Sequence, residues 1–318
     1  MKYQASRSYV GRGSAFLAAV LAVCWAAAAP QEESSTVDVA PAVEEKTLLD
    51  PSRYFRTGLT LDYFWQTEGD FSSSRQDGGV STQVIDLDSP FTRFTFGDLQ
   101  IVPGGRYRYT NWDANIPTWS QQELDLHEVE FPVDFFYRKL SSPWSFWARV
   151  KPTLSTDGND FGTDAIGLTA FGGVIYQFSS RFALAAGVYY GGGVGDSVII
   201  PGVGFVWAPT DNLVVHLLPP NPGITWLPND DWRISFEVLS ASSAWSVEPD
   251  GQRYDLQFTS FRAGLTVDRR ITESLWLTVR GGTSLFQRVE VFDDAERVDF
   301  ASDVDNAIYG SVGLRLTF

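Results

Sequence analysis

The chain ends Asn306-Ala307-Ile308-Tyr309-Gly310-Ser311-Val312-Gly313-Leu314-Arg315-Leu316-Thr317-Phe318, and the reading of this stretch decides the fold class. Side chains alternate across an extended strand. One face therefore holds Ile308, Gly310, Val312, Leu314, Leu316 and Phe318, and the other holds Tyr309, Ser311, Gly313, Arg315 and Thr317. The first face is apolar and the second is polar with a single charge. A strand with lipid on one side and water on the other has this pattern, and so does a half-buried sandwich strand. The remainder of the chain separates the two.

Runs of period two recur from Arg53 onward, separated by turn residues. Leu59, Leu61, Tyr63 and Trp65 share a face in the first run. In the second, the apolar face switches from Ile85 and Leu87 to Phe94 and Phe96 after Ser89-Pro90, as a bulge causes. Leu99, Ile101, Pro103, Tyr107 and Tyr109 follow, with Arg106 and Arg108 opposite. Next, Val129, Phe131, Val133, Phe135 and Tyr137 oppose Glu128, Glu130, Asp134 and Arg138. Then Trp144, Phe146, Ala148, Val150 and Leu154 oppose Trp147, Arg149, Lys151 and Thr153. Glycine-richer runs continue the pattern to the C-terminus. There are about fourteen runs, each near the 9–11 residues that a tilted membrane-crossing strand needs. Two short ones flank Pro219-Pro220-Asn221-Pro222-Gly223. If those do not cross, the number falls to about twelve, and both numbers are even, as bacterial barrels require.

Connector length supports the same reading. Short connectors at 97–98, 140–143, 179–181, 209–212 and 229–230 broadly alternate with longer ones at 67–81, 112–121, 155–163, 241–251 and 290–303. Short turns on one rim and long loops on the other mark a membrane barrel and are foreign to a soluble sandwich. Phe135, Tyr137, Trp144, Tyr176, Phe178, Phe182 and Trp207 then fall at one end of the outward faces, and Trp65, Tyr109 and Tyr190 at the other. Bilayer interfaces select two such aromatic belts. The expected fold is all-β, a transmembrane antiparallel up-and-down β-barrel over residues 53–318.

Lys2, Arg7 and Arg12 precede an apolar run from Ala15 to Ala29, too short to cross a bilayer. This is a signal peptide at 1–28, cut near Ala28. Residues 29–52, rich in Glu, Ser, Ala and Pro without a period, are expected to form a disordered periplasmic leader. Cys24, the only cysteine, lies in the signal, so the mature chain has neither disulfides nor thiolate metal sites. Bulky Val23 disfavours lipidation there. The formal charge of −15 excludes nucleic acid as a partner, because phosphates reward Lys/Arg clusters. The expected location is the bacterial outer membrane. Outer-membrane lipid, lipopolysaccharide and the barrel-assembly machinery are the expected partners.

Candidate chemistry is sparse. His127 shares parity with Val129 and Phe131 and is expected to point outward; His216, beside Val214 and Leu218, is likewise expected to avoid the lumen. No Ser–His arrangement with a third orienting group stands out, so lipid hydrolysis is disfavoured. The stretch from Asp157 to Asp164 fails a calcium-loop pattern, with Phe161 in place of an oxygen ligand and Leu168 at the twelfth position, and reads as a turn. No cofactor or metal is expected. The acidic residues Asp293, Asp294, Glu296, Asp299, Asp303 and Asp305 make the last long loop negative, a solvated loop or a place where divalent cations bridge to lipopolysaccharide. The lumen face carries the most information. Arg106 and Arg108, Glu128 and Glu130, and Arg149 and Lys151 lie on three successive strands and are expected to form a plus–minus–plus ladder. Such a ladder either stabilises the sheet or acts as a charged constriction. Arg262, Arg280 and Arg315 are also expected to point inward. In this parsing inward bases outnumber inward acids, which implies a weak anion preference. Opposite, Gly167, Gly173, Ala183, Ala185 and Gly187 form a wall of small residues.

Two resemblances arise from these residues. The closing strand with its terminal Phe318 resembles that of Gram-negative outer-membrane barrels, in which the last residue forms part of the signal for the assembly machinery. The segment Pro201-Gly202-Val203-Gly204-Phe205-Val206-Trp207-Ala208-Pro209, followed by Leu217-Leu218-Pro219-Pro220-Asn221-Pro222-Gly223, resembles an uncharacterised family of exported bacterial β-barrel proteins known as a domain of unknown function. That likeness lies mainly over residues 160–318. It implies an outer-membrane barrel and carries over no functional residue. The expected function is a passive pore for small solutes and not an enzyme. The alternative is a plugged structural or adhesive barrel acting through its external loops, and a lipid hydrolase ranks below both.

Overall fold

The computed structural model describes residues 58–317, apart from 73–77, 117–118, 120–121, 140, 160, 195–196, 219–220, 250, 294 and 296. The signal peptide, the leader and Phe318 lie outside the described residues.

The strands are β1 (Leu59–Asp70), β2 (Gly79–Pro90), β3 (Phe94–Phe96), β4 (Leu99–Ala114), β5 (Glu123–Glu130) and β6 (Val133–Arg138). Then come β7 (Trp144–Thr156), β8 (Ile166–Ser179), β9 (Phe182–Gly192), β10 (Val198–Thr210), β11 (Leu213–Leu217) and β12 (Gly223–Asn229). The last are β13 (Trp232–Ser240), β14 (Ser243–Val247), β15 (Tyr254–Arg270), β16 (Leu275–Asp293), β17 (Val298–Val304) and β18 (Ala307–Leu316). All belong to one 18-stranded sheet. Four pairs, β2 with β3, β5 with β6, β13 with β14 and β17 with β18, are each one stave interrupted by a bulge or bend. Both members of each pair lie on a shared neighbour: β4, β7, β15 and β16 respectively. The result is a closed antiparallel barrel of fourteen staves, with β18 returning to β1 from Leu59↔Leu316 to Gln66↔Tyr309.

Alternation places the side chains as the sequence implies. Leu61, Trp65, Trp144, Leu184, Trp207, Leu265 and Val312 are exposed on the outside. The bulge after Ser89-Pro90 is present: the register moves from Pro90↔Gly104 to Phe94↔Ile101, which returns Phe94 and Phe96 to the outer face. Outer aromatics near the rim that carries the termini touch in series, Trp144–Tyr176 at 4.6 Å, Tyr176–Phe178 at 4.6 Å and Phe178–Phe182 at 5.8 Å between ring centroids. Turns at that rim are short. The tightest, Gly97-Asp98, depends on the left-handed backbone of Gly97 (φ 61°), which glycine adopts without a Cβ penalty.

The staves differ greatly in height. β11 and β12 have 5 and 7 residues, whereas β15 and β16 have 17 and 19. The two short runs at the proline turn are therefore true staves, yet they reach only part of the way up the wall. Gly204 of β10 permits the close approach of β11, since a Cβ there would collide with the Leu217 carbonyl.

Parts of the sequence-based loops at 67–81, 241–251 and 290–303 are strand instead. β14 lies inside the second, and β16 and β17 run into the third. Over this distal half the tall staves form a second, smaller closure. β14 meets β7 in a parallel bridge at Ser246↔Thr156, and Phe71↔Val304 joins β1 to β17. The circuit β14-β15-β16-β17-β1-β2-β4-β5-β7 thus excludes the short staves. Barrels of about eight strands are narrow enough for side chains to fill. This ring is filled: Trp112, Leu126, Trp245, Leu256, Phe258, Val289, Val291 and Phe300 are buried in one apolar cluster with Trp119 and Phe71. A second bulge aims these side chains inward. Phe286 has φ 52°, and beyond it β16 buries Gln287, Val289 and Val291, whereas before it Thr278 and Ser284 are buried.

Candidate functional site

Below the apolar cap, the inner wall changes from hydrocarbon to charge. Asp86 on β2 accepts from Arg106 Nε at 2.8 Å, pairs with Arg106 Nη2, and accepts from Arg108 Nε at 3.4 Å. Arg108 Nη1 donates to Glu128 at 3.0 Å, and Arg106 Nη1 to Glu130 at 3.5 Å. Glu130 also receives Lys151 Nζ. Arg149 grips Asp134 with two bonds of 2.8 Å, and Trp147 Nε1 adds a third at 2.9 Å. The registers Arg106↔Glu130, Arg108↔Glu128 and Asp134↔Arg149 bring these groups together. A network of six alternating charges and a neighbouring Arg149–Asp134 pair result, with Glu128, Glu130 and Asp134 buried beneath their partners. Planar guanidinium forks suit this carboxylate geometry.

The other expected residues divide. Arg280 Nη1 bonds Asp62 at 2.7 Å. Arg262 has no carboxylate partner among the described residues. It lies 3.7 Å above the ring of Phe64, near Tyr309, and its buried Nε has no acceptor there. Arg315 also lacks an ion pair among the described residues. The expected excess of inward bases is absent: away from the rims, Arg106, Arg108, Arg149, Lys151, Arg233, Arg262, Arg280 and Arg315 are matched by Glu128, Glu130, Asp62, Asp86, Asp88, Asp134, Glu237 and Asp268 on the same inner face. The last two engage Arg233, at 3.2 and 3.8 Å. Strict alternation places Asp62 opposite Leu61 and Tyr63 in the sequence, so the face was readable; the pairing with Arg280 required the register.

Between charge and cap lies a thin polar layer. Gln66 Nε2 donates to Gln287 at 2.8 Å, and Ser284 Oγ donates to Gln66 at 2.6 Å, all buried. The opposite wall is apolar or small. Inner positions of β8 to β10 include Phe171, Gly173, Ala185, Gly187, Tyr189 and Ile200, aligned through Phe171↔Tyr189 and Tyr189↔Ile200. The lumen is thus charged on one side and hydrocarbon on the other.

The histidines resolve differently. His127 is on the outer face, its Nδ1 2.9 Å from Tyr107 Oη and its ring packed on Tyr109. His216 points inward, contrary to the sequence-based expectation. Its face also carries Val214, which is fully buried against Ala208, Val206 and Leu227, and the outward residue of this pair of faces is Leu217. Val214 is apolar because it packs inside the barrel, not because it meets lipid. His216 Nε2 lies 3.5 Å from Thr225 Oγ1, itself 3.0 Å from Ser235 Oγ, and both hydroxyls are fully buried.

The stretch from Asp157 to Asp164 closes the cap. Asp157 Oδ2 accepts from Glu248 N at 2.8 Å, and Asp164 pairs with Arg253. Asp293 at the distal tip is satisfied within its own turn, by the Arg297 side chain at 2.6 Å and by the backbone N–H of Ala295 and Arg297, which holds its carboxyl below the usual range.

Structural comparison finds outer-membrane channels. The COG4313 outer membrane channel from Pseudomonas putida F1 is 10% identical, with 88% of this chain and 100% of that one covered and a TM-score of 0.46. The P. putida toluene transporter TodX is 10% identical, with 84% and 92% covered and a TM-score of 0.40. The KdgM porin in complex with disordered oligogalacturonate is 10% identical, with 81% and 99% covered and a TM-score of 0.35. Likeness at this level says nothing of the solute. No curated protein matches the chain in sequence. The family described as "Domain of unknown function (DUF6268)" matches residues 104–317, beginning well before the segment in which the sequence resemblance was first legible. The chain belongs to this family of uncharacterised barrels.

Proposed function

We propose that the protein is a passive, non-enzymatic outer-membrane channel for small solutes. It would be exported by its signal peptide at 1–28 and inserted by the barrel-assembly machinery, with the terminal rim in the periplasm and the cap outside, against lipopolysaccharide. The observation that carries this reading is the inner wall: a fourteen-stave ring is wider than side chains can fill, and here it bears charge on one side and small or apolar residues on the other. Hydrolysis finds no support, since Thr225 and Ser235 beside His216 are fully buried, beyond reach of a substrate carbonyl. The apolar cap favours a second reading, a structural barrel closed at its outer end. The two differ in flux. Proteoliposomes holding the folded protein are expected to release small neutral solutes; retention equal to that of empty vesicles would favour the closed barrel.

Asp88 and the second carboxylate on Arg233 offset Arg262 and Arg315, so the inner wall is close to balanced, and a weak anion preference would come from Arg262 and Arg315 standing without a carboxylate partner among the described residues. In a salt gradient the reversal potential is expected to take the anion's sign, and Arg262→Gln is expected to shift it toward zero. A cation-signed potential in the unmodified protein would remove the preference.

A further inference from the structure

Among the described residues, the barrel wall has an unpaired stretch on one side. The β10–β11 ladder starts at Phe205↔Leu217, and Gly204 still lies against the Leu217 carbonyl, so residues 198–203 have β9 on one flank and, among the described residues, no paired strand on the other. Across the opening, β13 leaves β12 at Glu237, with one further bond from Val238 N to the Pro222 carbonyl at 2.9 Å. β14 next meets a strand on that flank at Thr156 of β7. The short β11–β12 hairpin is therefore a sill, and the β7–β14 bridge is a lintel.

The free segment has the chemistry of an opening. Pro201, with no N–H to offer a neighbour, lies within it, and proline in sheets is confined to edges and bulges. Unpaired backbone at bilayer depth is tolerated only where protein buries it or water lines it. Both faces of the segment are accessible: Ile199, on the outer face, is 70% exposed and Ile200, on the inner face, 51%. Measured from Trp207 in the terminal aromatic belt, at about 3.3 Å per residue and a tilt near 45°, residues 203 to 198 lie about 9–21 Å above it, inside an apolar band of roughly 25 Å. The gap therefore faces lipid. Behind it, one inner row runs Arg149↔Phe171↔Tyr189↔Ile200, from charge to hydrocarbon, ending at the gap.

We propose that this gap is a side portal through which small amphipathic molecules exchange between the lumen and the surrounding leaflet, beneath the apolar cap. The proposal deepens the channel reading and rests on it. The inner row accepts a polar head near Arg149 and Asp134 and an apolar body along Tyr189 and Ile200.

The mature chain, freed of Cys24 with its signal, allows single-cysteine reporters. Ile200→Cys, Val203→Cys and Phe171→Cys are each labelled with one fluorophore and reconstituted in phosphatidylcholine vesicles with nitroxide-bearing acyl chains. Gly202→Cys, on the inner face beside Ile200, serves as a second reporter should Ile200→Cys fail to fold. The label at 200 is expected to be quenched about as strongly as the one at 203, and the label at 171, inside the intact wall, several-fold less. Equal protection at 200 and 171 would overturn the portal. Conductance read from the same preparations separates the two claims: conduction without quenching at 200 removes the portal and keeps the channel, whereas quenching without conduction keeps the opening and removes the channel.

Discussion

Trp112→Ala is expected to destabilise the distal cap by about 3–5 kcal/mol, the usual cost of truncating a buried tryptophan, and to raise conductance severalfold. Trp112 is fully buried in the apolar cluster, between Thr82 across the β2 ladder and Leu124 across the β5 ladder. The charged wall below it shares the staves but not the packing, so the membrane-embedded ring should remain folded. Its indole N–H has no partner among the described residues, which makes the ring volume, and not a hydrogen bond, the source of its contribution. Trp112→Phe is accordingly expected to lose much less than Trp112→Ala. Urea titration followed by tryptophan emission and limited proteolysis of the distal strands measure the cap, and single-channel recording measures the passage. A cap that is cleaved readily while conductance stays unchanged would show that the cluster is not the seal.

Glu130→Gln is the second large effect. Glu130 is buried and serves Arg106 and Lys151 together. Breaking a buried pair from one side leaves the opposite charge uncompensated, at a cost of about 3–5 kcal/mol. The lower end is expected, since Arg106 keeps Asp86 and Lys151 can turn toward lumen water. Two cations would then outweigh their acids on this wall, and the reversal potential is expected to move toward the anion. Glu130→Asp should restore most of the selectivity. No change in reversal potential from a folded Glu130→Gln barrel would mean that permeating ions do not pass this wall.

Much of this architecture is legible in the alternation of side chains. Leu99 to Tyr109 against Arg106 and Arg108, or Trp144 to Leu154 against Arg149 and Lys151, state which face meets lipid, because a one-residue slip would expose the whole polar set. The ladder of Arg106, Arg108, Glu128, Glu130 and Lys151 follows from neighbouring strands alone. Arg149 takes Asp134, a partner that only the register reveals. The cap was hidden for a physical reason. At the distal end both faces of a stave can be apolar, since the ring narrows and buries its inside, so Val289, Val291 and Phe300 break the lipid–water alternation that identifies a spanning strand. The bulge at Phe286 shifts parity within β16 and adds to the concealment. His216 was misplaced by the same rule in reverse: Val214 is apolar because it packs inside, against Ala208.

The most direct test is single-channel recording from the refolded mature protein in a planar bilayer, with folding verified by strand-rich circular dichroism. Stable, discrete conductance steps that enlarge in Trp112→Ala are expected if the charged lumen conducts beneath the apolar cluster. Silence from folded protein, in the unmodified chain and in Trp112→Ala alike, would contradict a conducting lumen and leave a closed structural barrel.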